Sequence, residues 1–154
     1  MPIIFIYDII RVNSHKDWCI IELDTNKSSI FLIYYHLVLV TRYRRQVIDN
    51  QISKYAKEIF ERIAESYHIT LIEWNHDKDH IHIMFKGQPK TKLTKFINSY
   101  KSATSRLIKK DYPNVKQQLW QEQFWSRSFC LLTTGGVTIK TIKSYIRNQG
   151  NNHR

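Results

Sequence analysis

Cysteine is scarce in this chain, with two residues, Cys19 and Cys130, in 154. Two thiols exclude a disulfide framework and a cysteine-rich zinc finger, and they fit a reducing cytosol. Long apolar runs are missing too. No stretch approaches the roughly 20 residues that a membrane span needs, so a cytoplasmic location is expected. The N-terminal MPIIFIYDII is apolar but short, Asp8 interrupts it and no basic residue precedes it, which makes it a poor signal peptide. Acidic residues are few: Asp plus Glu total 13 against 24 Lys plus Arg, a formal net charge of +11. That excess points to a polyanionic partner, nucleic acid before an anionic membrane surface. Internal repeats and low-complexity stretches are absent.

What is present suits one domain with one core, since 42% of the residues are hydrophobic. Residues 1–28 match the rest least well and are read as an N-terminal extension, an added strand or a stretch contributed by an upstream start codon. From Ser29 the pattern is clear. IFLIYYHLVLVT (30–41) is rich in β-branched and aromatic residues and reads as a strand buried on both faces. Ile52, Tyr55, Ala56, Ile59, Phe60, Ile63 and Ala64 recur at helical spacing within 50–68. ITLIEW (69–74) and HIHIMFK (80–86) predict a β-hairpin around the turn 75–79. Leu93, Phe96, Ile97, Tyr100, Ala103, Leu107 and Ile108 predict a second helix over 92–110, with Pro113 marking its end. SFCLLTT (128–134) reads as a fourth core strand. Gly135–Gly136 break the chain, VTIKTIKSYIRNQ (137–149) predicts a last helix, and 151–154 form a tail. The order is β-α-β-β-α-β plus a helix, an α+β chain of ferredoxin-like type. That fold hosts many functions and decides none alone.

Two features carry chemistry. In DHIHIMF (79–85) alternate side chains share a face. His80, His82 and Met84 are therefore expected on an accessible face, with Ile81, Ile83 and Phe85 turned to the helices. Residues i and i+2 of a strand are roughly 6.6–6.8 Å apart, close enough for two imidazoles to reach one cation. An H-x-H tripeptide alone is equally compatible with two half-buried histidines in ordinary hydrogen bonds. In the last helix, Tyr145 and Gln149 are four apart and share a face. They lie at the edge of an apolar stripe of Ile139, Ile142 and Ile146. Basic residues would suit a nucleic-acid groove: Arg42, Arg44 and Arg45 after the first strand, and Lys92, Lys95, Lys101, Arg106, Lys109 and Lys110 on the second helix. Such contacts give affinity and salt dependence rather than sequence choice.

YHLVLVTRYRRQVI, WNHDKDHIHIMF, LWQEQFW and TTGGVTIKTIKSYIRNQ, in this order, resemble the single-tyrosine transposases of IS200-like insertion sequences, which belong to the HUH endonucleases (histidine, hydrophobic residue, histidine). The resemblance runs from about Ser29 to Gln149, so 29–150 is taken as one domain. It implies that His80 and His82 are metal ligands with Gln149 as a polar third ligand, and that Tyr145 is the nucleophile. It implies a divalent cofactor, Mg²⁺ from the family and from cellular abundance, although imidazole suits Mn²⁺ better. It implies single-stranded DNA with a hairpin as substrate, cleavage and rejoining through a 5′-phosphotyrosine, and a homodimer. In that dimer the tyrosine helix, hung on a hinge at Gly135–Gly136, can complete the partner subunit's site. Lys140 and Lys143 stand where relatives are expected to be acidic, and residues 1–28 lie outside the family pattern.

Other readings compete. A non-catalytic nucleic-acid-binding module of ferredoxin-like fold, including a decayed transposase, predicts exposed stacking aromatics and indifference to metal. A replication initiator or relaxase is ordinarily a longer chain. A metal-dependent hydrolase forms no covalent adduct.

Overall fold

The computed structural model describes residues 24–25, 30–133 and 147. It divides the chain into two compact units, 1–32 and 33–154. In the first, β1 (Asp24–Thr25) pairs antiparallel with β2 (Ile30–Phe31) in a two-stranded sheet of its own. The rest of the expected extension lies outside the described residues. So do Gly135, Gly136, Tyr145, Gln149, the tail and, apart from Arg147, the helix expected over 137–149.

The second unit carries β3 (Ile33–Val40), α1 (Asn50–Ser66), β4 (Thr70–His76), β5 (His80–Gly87), α2 (Leu93–Asp111), α3 (Pro113–Gln118) and β6 (Cys130–Thr133). Its four strands form one antiparallel sheet in the order β4-β5-β3-β6. This is the ferredoxin-like α+β arrangement expected from the sequence. The helices form where the apolar spacing places them. Asp49 caps α1, its Oδ1 accepting from the Ile52 N–H at 2.8 Å. Ile52, Ala56, Ile59, Phe60 and Ala64 on α1, with Phe96, Ile97, Tyr100 and Ile108 on α2, bury against Leu37, Leu39, Ile81, Ile83 and Phe85 of the sheet. Phe60 sits among Phe85, Phe96, Tyr100 and Trp74, with ring centroids 5.2–5.9 Å away. Two polar groups tie the layer: Tyr100 Oη donates to Ala56 O at 3.1 Å, and Trp125 Nε1 donates to Thr104 Oγ1 at 2.8 Å. Among the described residues, no helix is long and apolar enough to cross a membrane.

Two sequence expectations need correction. The run 30–41 is neither one strand nor buried on both faces: Leu32 separates β2 from β3, and in β3 only Leu37 and Leu39 are fully buried. The helices cover one face, so burial alternates. Among the described residues the fourth strand, Cys130–Thr133, lies at an edge of the sheet rather than in its core, with Leu132 54% exposed. The second helix ends at Asp111, as expected from Pro113, which also opens α3, a first-turn position that suits its missing N–H.

The pairing of β4 with β5 contains a bulge. Leu71 stands opposite Phe85 and Glu73 opposite Met84, with Ile72 extra between them. Strict alternation would put Glu73 on the face of Leu71. The bulge instead turns Glu73 and Asn75 to the histidine face and Trp74 to the core, where its Nε1 donates to Ser53 Oγ of α1 at 3.0 Å. Bulges commonly re-aim side chains in this way beside functional sites.

Candidate active site

Residues opposite each other in an antiparallel pair point to the same face. Val40 stands opposite His80, Val38 opposite His82 and His36 opposite Met84. Asn75 of β4 stands opposite His82 from the other side. One face of the sheet therefore gathers His36, His80, His82, Glu73 and Asn75, while the other packs on the helices. The expectation that this face is accessible is corrected. His82 is 7% exposed and Met84 is fully buried; a ring from the neighbouring strand and one from its own strand lie against His82. The His36 ring stacks against it at 5.3 Å between centroids, and the His80 ring lies edge-on at 5.0 Å.

Each histidine of the pair has one ring nitrogen engaged. His80 Nδ1–H donates to Asp79 Oδ1 at 2.6 Å, so in the neutral ring the lone pair falls on Nε2. Asp79 Oδ2 accepts from Arg44 Nε at 2.7 Å. Burial alone would push the Asp79 carboxyl up, but the hydrogen bonds from His80 and Arg44 outweigh it and hold the group below its ordinary range. His82 Nδ1 lies 3.1 Å from His36 Nε2. If His82 donates and His36 accepts, His82 Nε2 also carries a lone pair. Burial, with help from the charges of His80 and His36, pushes His82 down to about 4, and burial lowers His36. His82 is thereby held neutral, the form in which imidazole binds metal.

His82 Nε2 decides how the cluster is read. It is buried and has no hydrogen-bond partner among the described residues. Buried polar atoms are rarely left so, and a divalent cation is a partner that suits a neutral imidazole beside a second one. The described residues alone do not complete a metal site, because no three of their His, Cys, Asp or Glu side chains converge on one point. A further donor has to come from elsewhere.

Arg147, two residues from Tyr145, meets this face. Its guanidinium lies 3.1 Å from Glu73 Oε2, and its carbonyl accepts from Asn75 Nδ2 at 3.4 Å. Both contacts depend on the bulge at Ile72.

The family model for IS200-like transposases matches residues 29–149. The chain belongs to the IS200-like transposase family. It is 28% identical over 129 residues to the ISDra2 transposase TnpA of Deinococcus radiodurans, covering 84% of this chain and 92% of that protein. It is 27% identical over 115 residues to the transposase for insertion sequence element IS200 of Salmonella typhimurium, covering 75% of each. Among solved structures, a candidate transposase from Deinococcus radiodurans superposes with a TM-score of 0.67 at 28% identity, over 82% of this chain and 98% of that one. A REP-associated tyrosine transposase bound to a REP hairpin shares the fold, with a TM-score of 0.55 at 10% identity over 80% and 67% of the two chains.

The basic residues named from the sequence fall into two groups. Arg42, Arg44 and Arg45 form the turn leaving β3 beside Asp79. Lys92, Lys95, Lys101, Arg106, Lys109 and Lys110 belong to α2 or its N-cap, on the helical layer across the sheet from the histidines. Lys101 donates to Arg127 O at 2.8 Å and Lys109 to Glu122 O at 2.9 Å, so both brace the segment before β6. Sequence reading missed His36, Asp79 and Glu73. A carboxylate directly before His80 was a usable signal for Asp79. His36 gave none, and the bulge concealed Glu73.

Proposed function

We propose that this family member cleaves and rejoins single-stranded DNA at insertion-sequence ends through a transient 5′-phosphotyrosine on Tyr145. The observation that carries the reading is the buried, unpartnered His82 Nε2 beside a His80 that Asp79 orients. His80 and His82, with Gln149 as third ligand, would hold Mg²⁺ or Mn²⁺, which would supply Lewis-acid stabilisation of charge on the departing 3′ oxygen. Asp79, and His36 where it accepts from His82 Nδ1, would fix the tautomers that leave both Nε2 atoms as donors of lone pairs. Tyr145 Oη forms the bond to phosphorus, the P–O3′ bond breaks, the phenolic proton passes to solvent and the 3′ oxygen takes up a proton. A phosphoester replaces a phosphoester, so a 3′-hydroxyl can later attack and rejoin the strand. This is covalent catalysis dividing one step in two. Arg44 holds Asp79 while most of its side chain stays exposed, which suits it to a backbone phosphate. A hairpin in the DNA is proposed from the neighbour bound to one, and a homodimer from the family. A non-catalytic binding module gives no reason for an orphaned imidazole nitrogen.

The test is a covalent-adduct gel. The full chain is incubated with single-stranded DNA from each flank of its gene and Mg²⁺ or Mn²⁺, then run under denaturing conditions. A shifted band is expected that needs metal, fails with duplex DNA and is abolished in Tyr145→Phe. A band that survives in Tyr145→Phe, or in EDTA, would overturn the mechanism.

A further inference from the structure

The exit of β3 and the approach to β6 each reverse through a tight turn built without glycine. Arg45 N–H donates to Arg42 O at 3.4 Å, with Tyr43 at φ 56°, ψ 27° and Arg44 at φ 55°. Gln123 N–H donates to Trp120 O at 3.2 Å, with Gln121 at φ 50°, ψ 32° and Glu122 at φ 55°. Two successive left-handed residues make a type I′ turn, which ordinarily selects Asn and Gly. The two turns are clamped together. Arg42 N–H donates to Phe124 O at 2.8 Å, and Thr41 bridges to Trp125.

The clamp presents a pair of aromatic rings to solvent. Tyr43 is 56% and Trp120 48% exposed, and they meet edge to face at 5.2 Å. With Leu132 they are the large hydrophobic side chains left exposed among the described residues. Core packing therefore does not account for them. The Arg42 guanidinium lies 4.7 Å from the Tyr43 ring centre, and Arg44 and Arg45 are exposed alongside. Next to Trp120 opens a cleft of about 480 Å³, lined in part by Arg45, Gln46, Gln117 and Gln118. The platform adjoins the histidine site. Thr41 N–H donates to Asp79 O at 2.8 Å, and Arg44 Nε reaches Asp79 Oδ2.

We propose that Tyr43 and Trp120 form a stacking subsite for one unpaired base of the DNA strand. Arg44 and Arg45 face the phosphates beside that base, and the glutamine amides of the cleft meet its edge. The proposal rests on the reading of single-stranded DNA as substrate and gives that substrate a place on the surface. Unpaired bases offer a free π face and duplex bases do not, so such a platform selects single strands irrespective of sequence. Because Asp79 joins the platform to His80, a stacked base would fix which phosphate lies nearest the histidines.

The experiment measures binding of the full chain to a fluorescein-labelled single-stranded oligodeoxynucleotide from the flank of its gene, by anisotropy over a salt series. The same oligonucleotide is also made with an abasic site at each position in turn. Trp120→Ala and Trp120→Leu are each expected to bind about 5- to 100-fold more weakly. Their slope of log affinity against log salt should stay that of the parent, because stacking releases no counterions. Trp120→Phe should restore most of the loss, and Arg45→Gln should lower the slope by about 0.7. In the parent one abasic position should cost the same factor, and in Trp120→Ala that lesion should cost nothing more. Losses that multiply instead, or Trp120 variants that bind like the parent, would overturn the platform alone. Failure of the parent to bind any single strand would overturn the DNA reading and the platform together.

Discussion

His36 shows how much one side chain can decide at the residue scale. If its Nε2 accepts from His82 Nδ1, it sets the tautomer of His82 without touching metal or DNA. Partners of this kind are worth about 10–100-fold in metal affinity. Accordingly, His36→Phe, which keeps a stacking ring and removes the acceptor, should weaken Mn²⁺ binding by that range in an electron paramagnetic resonance titration. His36→Asn, with a carbonyl in reach, should weaken it less. The buried neutral His82 has a second consequence. Its folded pKa is depressed from 6.5 to about 4, chiefly by burial. The unfolded chain therefore binds the extra proton first as pH falls. Stability from this residue is complete above pH 6.5 and lost on the way down to about pH 4, on the order of 3 kcal/mol. The urea midpoint should fall over that window in the parent and fall less in His82→Gln. Asp79, also depressed, loses its contribution only below its ordinary 3.8. The H-x-H spacing could be read directly because strand periodicity is local. His36 could not, since it reaches His82 across 46 residues of sequence.

At the scale of elements, α1 ends in a Schellman motif. Ile69 N–H donates to Ala64 O at 3.0 Å and His68 N–H to Glu65 O at 3.2 Å, with His68 at φ 55°. Glycine is the usual residue there because a Cβ is strained at that φ. His68→Gly should stabilise the protein by about 0.5–1 kcal/mol, read as a higher urea midpoint at unchanged slope. Both long helices were legible in the sequence because a 3.6-residue period over many residues leaves little choice. The strands were legible in place but not in burial. Nothing in the composition of 30–41 says that helices cover one face only, and nothing in CLLT (130–133) says that it lies at an edge. The two glycine-free type I′ turns escaped notice for a related reason: tertiary clamps hold Tyr43, Arg44, Gln121 and Glu122 where local preference would not.

For the molecule as a whole, a net charge of +11 would tempt one to spread DNA over every lysine. The sheet stands between the histidine face and the helical layer that carries Lys95 and Arg106. On the proposed reading, a strand held at His80 and His82 need not meet that layer. The double variant Lys95→Gln, Arg106→Gln should therefore leave the salt slope of single-strand binding as it is, while Arg44→Gln should lower it by about 0.7. A fall of twice that size in the double variant would show the strand wrapping round the helical layer. The charge total was readable from composition, but its division between two sides of a sheet needed the fold.

Ile72 serves β4 as a leap day serves a calendar: one count inserted so that everything after it falls on the right side. Glu73 faces Met84 and Asn75 faces His82 only because that count is absorbed. Removing Ile72 would leave those later pairings as they stand, with an unbulged strand before them. Removing Trp74 instead, with the bulge closing to keep Asn75 opposite His82, would bring Glu73 opposite Ile83, with the acidic group inward and the indole lost. Along this strand, tolerance to a one-residue deletion belongs to the bulge.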